Sequence, residues 1–137
     1  MGADIVGDYQ TEPKWGRWAL EHTDGEGVDL VLETGGAGTL AQSLKAVKVG
    51  GKISLIGVLS GHQEPLNILP LVMKAICVQG VVVGHKQHAR ELIQAYLQSM
   101  QRPVVHQTFS WDCVPDAFQT LASGRQFGKI TVEFPQG

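Results

Sequence analysis

The chain has 137 residues, which is room for one domain or for pieces of two but not for a complete two-domain enzyme. Hydrophobic residues make up 43% and charged residues 18%, with 17 glycines, a composition that excludes a disordered or collagen-like chain and implies many tight turns around an apolar core. Eleven Lys and Arg against 13 Asp and Glu give a formal charge of −2, so no basic footprint is present for nucleic acid or an anionic membrane surface.

In chain order, Ile5 and Val6 form a first apolar run, cut off by Gly7 and Asp8. Pro13 suits a helix start, and Trp15, Trp18, Ala19 and His22 fall at helical spacing, which predicts a helix from about Lys14 to the Asp24-Gly25 stop. Asp29 to Thr34 (DLVLET) reads as a strand covered on both faces. After the turn at Gly35, Gly36 and Gly38, the stripe Leu40, Leu44 and Val47 predicts a second helix, closed by Gly50 and Gly51. Lys52 to Val58 is the next strand. Residues 60 to 70, with two prolines, read as a crossing loop, and Ile76 to Val83 as another strand.

From His88 to Met100 the residues Leu92, Ile93, Tyr96, Leu97 and Met100 line one helical face, which Arg102 and Pro103 end. A short strand near Thr108 and Phe109, a helix begun by Asp112 and Pro115 and capped by Gly124, and a final strand from Lys129 to Phe134 complete the chain. Strands alternating with helices of about a dozen residues imply βαβ units, so the fold class is α/β with a parallel sheet. The most apolar stretch, Ile68 to Val83, is broken by Pro70, Lys74, Gln79 and Gly80, which argues against a membrane span. Cys77 and Cys113 lack CxxC spacing, so neither a disulfide framework nor a structural zinc site is signalled, and a cytoplasmic protein with reduced thiols is expected.

Within GGAGTLA (35–41), Gly36, Gly38 and Ala41 satisfy the GxGxxG/A pattern of a dinucleotide-binding turn. That pattern also needs an acidic residue at the end of the following strand, which here ends in Gly57, Val58 and Leu59, with no carboxylate before Glu64. A later glycine turn of the same kind of sheet is the other reading. Glu33, beside this turn, reads as a possible buried carboxylate, with no base or nucleophile partner nominated nearby in sequence. His85 and His88 stand at i, i+3 without a neighbouring carboxylate or thiolate, a pattern that favours solvent-exposed or capping roles over metal binding.

The runs GADIVGDY, GVDLVLETGGAGTLAQSLKAVKVGGKISLIGVLSG, VQGVVVGHK, RPVVHQTFS and SGRQFGKITVEF resemble the C-terminal part of zinc-type alcohol dehydrogenases and quinone oxidoreductases, the medium-chain dehydrogenase/reductase superfamily. The resemblance spans essentially the whole chain in the family's order. It implies a partial Rossmann-like parallel sheet with flanking helices plus a C-terminal strand-helix-strand segment. Residues 1–103 would be the C-terminal portion of the dinucleotide-binding domain and residues 104–137 a segment of the catalytic domain. GADIVGDY would hold strand three, and residues 29–34, 52–58 and 76–83 strands four, five and six.

The implied activity is NAD(P)-dependent hydride transfer. The family's glycine-rich phosphate loop and its catalytic zinc ligands have no counterpart here, so the chain is expected not to be catalytically complete alone, to bind NAD or NADP weakly or not at all, and to hold no zinc. No catalytic residue is assigned. The positions matching the family's cofactor-lining strand ends are Thr34, Gly35, Ile56, Gly57, Val58, Val83 and Gly84, and Lys129 resembles a basic residue near the cofactor phosphates. The resemblance further implies a homodimer through strand pairing at residues 76–84, or a missing N-terminal partner chain. A stand-alone, non-catalytic binding or assembly module is the alternative. A methyltransferase, suggested by VKVGGKISLIG, lacks its upstream glycine loop and acidic strand end.

Overall fold

A computed structural model describes residues 2–99 and 102–135. The elements fall into two compact units that meet in sequence at Val83 and Gly84. The first contains α1 (Trp15–Glu21), β1 (Val28–Glu33), α2 (Ala37–Ala46), β2 (Val47–Leu55), α3 (Leu69–Met73) and β3 (Cys77–Gly80). The second contains α4 (Lys86–Ser99), β4 (Val105–Ser110), a 3-10 turn (Trp111–Cys113), α5 (Val114–Ala122) and β5 (Lys129–Glu133).

In the first unit the strands lie in the order β1-β2-β3, all parallel. A parallel pair needs a crossover, and α2 and α3 supply the two. Leu44 of α2, Val47 and Ile53 of β2 form the buried core, with Val31, Leu40, Leu71 and Ile76 packed against it. α1 lies against α2 at Gly16, where a Cβ would stand 2.5 Å from the Gln42 carbonyl oxygen. The Gly16 N–H donates to Gln42 Oε1 (3.1 Å). Glycine is needed there for the backbones to approach this closely. The end of α2 is held from a distance, because the Lys74 ammonium donates to the carbonyls of Leu44 and Lys45 (both 3.1 Å) and of Val47. Burial pulls the Lys74 pKa below the ordinary lysine value.

The second unit pairs β4 with β5, again parallel, with α5 as the crossover. The strands exchange a side-chain hydrogen bond between Thr108 and Thr131 (2.8 Å), and Trp111 stacks on Phe134 with ring centroids 4.7 Å apart. Among the described residues no helix is long and apolar enough to cross a membrane.

Several sequence expectations shift. Ile5 and Val6 form no strand, since a two-residue run needs a neighbour to exchange hydrogen bonds with and no described strand lies beside it. The β1 run is not covered on both faces: Leu30 is 49% and Leu32 64% exposed, since both point from one face of the strand into an open apolar trough. Val47 is buried as expected, but as the first residue of β2 rather than the last of the α2 stripe. β2 therefore starts before Lys52 and ends at Leu55. The crossing loop closes in the short helix α3, where Asn67 Oδ1 accepts the Leu69 N–H (3.0 Å) and Pro70 sits in the first turn, a position that suits proline. The strand expected over 76–83 is confined to Cys77–Gly80, and Met100, expected to end α4, lies outside the described residues.

Candidate functional site at the carboxyl edge of the first sheet

β1 and β2 end level with each other, Glu33 opposite Leu55, so two loops leave the sheet at one edge. Their main chains are zipped together. The N–H groups of Ile56 and Gly57 donate to Glu33 O (2.8 and 3.2 Å), Leu59 N–H donates to Thr34 O (3.2 Å), and Ser60 N–H donates to Gly35 O (2.6 Å). Ser60 Oγ donates to the same Gly35 oxygen (2.8 Å). A Cβ on Gly57 would lie 2.5 Å from Thr34 O, so this contact requires glycine. Gly36 turns the chain into α2 with φ +87, and Ala37 N–H donates to Gly61 O (2.9 Å).

Glu33 secures the same turn through its side chain. It is 4% exposed. Oε1 accepts the N–H of Gly35 (2.7 Å), the N–H of Gly36 (3.1 Å) and Thr39 Oγ1–H (2.7 Å), while Oε2 accepts the Ser43 hydroxyl. Burial pushes the carboxyl pKa up, but the hydrogen bonds from Ser43, Thr39, Gly36 and Gly35 outweigh it, and the group sits below its ordinary value. The buried carboxylate was signalled in the sequence; its partners were not singled out. Thr39 and Ser43, one helical turn apart on α2, were the available signal.

Within the GxGxxG/A turn the N–H groups of Gly36 and Ala37 are thus engaged internally, and a Cβ on Gly38 would stand 2.9 Å from Ser60 Oγ. The turn behaves as a later glycine turn of the sheet. Of the expected cofactor-lining residues, Thr34, Gly35, Ile56, Gly57 and Val58 come together at this edge, with Thr34, Ile56 and Val58 exposed. A cavity of about 230 Å³ adjoins them, lined by Gly36, Ala37, Leu40, Leu55, Val58 and His62 among others. Val83 lies past the end of β3, two residues beyond Val81, whose N–H donates to Leu55 O (2.9 Å). Gly84 and Lys129 belong to the second unit. A Cβ on Gly84 would be 3.0 Å from the His88 Cβ, and Lys129 opens β5 with its N–H on Val104 O (2.7 Å).

His85 and His88 stack with ring centroids 3.9 Å apart, and His85 Nδ1 accepts the Gln87 N–H (3.1 Å) at the start of α4. Among the described residues no three His, Cys, Asp or Glu side chains gather in a way that could hold a metal ion. The residues described here do not fit a zinc site. On the outer side of β1 an apolar trough of about 660 Å³ runs past Trp15, Trp18, Leu30, Leu32 and Leu59.

A three-stranded parallel sheet with helical crossovers and a glycine turn opening at its carboxyl edge defines a Rossmann-type α/β unit. The chain belongs to the zinc-binding dehydrogenase family, whose sequence profile matches residues 1–99. It is 31% identical to L-threonine 3-dehydrogenase of Thermococcus kodakarensis, over 98% of this chain and 39% of that protein. It is 27% identical to a zinc-type alcohol dehydrogenase-like protein of Schizosaccharomyces pombe, over 97% of this chain and 40% of that one. Among solved structures, a putative alcohol dehydrogenase from Sinorhizobium meliloti superposes with a TM-score of 0.84 at 38% identity, covering 97% of this chain and 38% of that chain. A mycobacterial structure complexed with NADPH superposes with a TM-score of 0.76 at 26% identity, covering 96% and 44%. The chain spans about 40% of the length of the curated relatives it matches, and it corresponds to their C-terminal part.

Proposed function

We propose that this chain forms the nicotinamide-side wall of an NAD(P)-dependent alcohol dehydrogenase or quinone oxidoreductase, and that it is not catalytically complete alone. The observation that carries this reading is the meeting of Thr34, Gly35, Ile56, Gly57 and Val58 at one zipped edge, in a chain of the zinc-binding dehydrogenase family. When bound, the nicotinamide supplies the hydride chemistry, between its C4 and an alcohol, aldehyde or quinone-like substrate. The chain's own part is positional. Ile56 and Val58 offer an exposed apolar surface that covers a planar ring and excludes water, and the rigid main chain of the two loops fixes where that ring lies. Gly35 and Gly36 do not hold the phosphates, since their N–H groups are engaged by Glu33. Val83, Gly84 and, toward the phosphates, Lys129 are the further cofactor contacts in this reading.

The same reading assigns residues 1–103 to the dinucleotide-binding domain and 104–137 to the catalytic domain. It places the protein in the cytoplasm, without zinc, nucleic acid or membrane as partner. Assembly through residues 76–84 into a homodimer, or with an N-terminal partner chain along β1, covers the open sheet edges. Calorimetric titration with NADH and NADPH to millimolar concentration tests it. Weak, saturable binding is expected. The substitution Ile56→Asn, at an exposed position, should weaken binding about tenfold, or roughly 1.4 kcal/mol, without lowering the melting temperature. No binding by the unaltered chain would overturn the cofactor reading and leave assembly as the function.

A further inference from the structure

We infer that Glu33 is a resident anion, whose carboxylate fills the anion-binding nest of the 35–39 turn so that the turn takes no phosphate and stands instead as a fixed wall. The inference stands whether or not the edge binds a nicotinamide. A glycine turn that leads from a strand into the ten-residue helix α2 presents unpaired N–H groups and the positive end of a helix dipole, the arrangement that receives phosphate in nucleotide-binding turns. Here the N–H groups of Gly35 and Gly36 and the Thr39 hydroxyl converge on one point, and Glu33 Oε1 occupies it at 2.7–3.1 Å. Oε2 is turned inward to Ser43.

The carboxylate is almost wholly buried, and the ion pairs Arg17–Glu21 and Lys48–Asp29 lie elsewhere. The partial charges of the turn and the helix end, with two hydroxyls, therefore balance it. An incoming phosphate would have to expel Glu33 from these donors into the apolar surroundings of Trp18 and Leu32, leaving a charge unpaired. The Glu33 carbonyl also accepts from Ile56 and Gly57, so one residue anchors both loops, by its side chain on one and its main chain on the other.

Chemical rescue tests this, with inorganic phosphate and acetate as probes and chloride at matched ionic strength as reference. The melting temperature of the unaltered chain is expected to be indifferent to either anion. Glu33→Ala should melt lower, and acetate or phosphate should restore part of the loss in a saturable way, whereas Glu33→Gln, which fills the space without charge, should not be restored. Should Glu33→Ala be unfolded without anions, the same rescue reads as folding on addition of acetate. Saturable phosphate binding at the turn of the unaltered chain, read from the Gly35 and Gly36 amide shifts, or no rescue of Glu33→Ala by either anion, would overturn the inference. A second readout needs no variant: by NMR, the amide shifts of Gly35 and Gly36 should follow the Glu33 carboxyl titration, below the ordinary glutamate range. Amide shifts that ignore that titration would also overturn it. Neither probe is a nucleotide, so these outcomes are separate from those of the cofactor titration.

Discussion

Ser43 shows how much one hydroxyl can carry. It is fully buried and is the donor to Glu33 Oε2, so Ser43→Ala leaves half of a buried carboxylate unsatisfied. A loss of about 1–3 kcal/mol is expected near neutral pH, read by denaturant melts. The pH dependence follows from the direction of the Glu33 shift. A carboxyl whose folded pKa lies below its ordinary value of 4.5 contributes stability that is fully present above that value and is lost as pH falls through the folded pKa. Removing Ser43 raises the folded pKa, so the gap between variant and unaltered chain should narrow in acid. Sequence reasoning reached Glu33 because a carboxylate beside a glycine turn is conspicuous. It did not reach the network, because Thr39 and Ser43 are common residues whose convergence on Glu33 depends on how α2 lies over β1.

At the scale of elements, Gly16 decides the seating of α1 on α2. Gly16→Ala would place its methyl 2.5 Å from Gln42 O and 2.8 Å from the Lys45 Cβ, in a contact between backbones that cannot yield easily. Overpacking of this kind costs about 1–3 kcal/mol, so a lower melting temperature is expected by calorimetry. Period and punctuation located α1, β1, α2, α4, α5 and β5 to within a few residues, since each combines an apolar stripe with glycine or proline at its ends. Periodicity was less informative where a boundary is tertiary. α2 yields to β2 at Val47 although the apolar spacing continues, and Ile56 to Val58 leave the strand because the Ile56 and Gly57 N–H groups both turn to Glu33 O. α3 was hidden by proline, which marks a loop in one register and a helix start in another.

For the molecule as a whole, the order of the three parallel strands agrees with strands four, five and six of the family, an order that the resemblance implied and that composition and periodicity do not contain. The same resemblance supplied the candidate site: the five residues at the carboxyl edge are glycine, threonine and aliphatic side chains that no motif of reactive groups would single out. Assembly is where the exposed surface bears most directly. Val82 is 87% and Val83 93% exposed just beyond β3, an arrangement of aliphatic residues beside an open strand that invites pairing with a second copy. Light scattering should therefore return a dimer mass, and Val82→Asp should return the monomer mass with the melting profile of each unit preserved. A monomer mass independent of concentration for the unaltered chain would defeat the proposed pairing.

The cap on α2 bears on how the first unit folds. Most helices are completed by residues next to them in sequence, yet the terminal carbonyls here wait for Lys74, which follows Leu44 by 30 residues and Val47 by 27. Between them the chain must lay down β2, cross the sheet and form α3. α2 therefore does not reach its final stability as a local event, and its last turn becomes protected only when the following crossover has docked. One ammonium therefore couples the stability of the end of α2 and the start of β2 to the docking of the crossover that follows them.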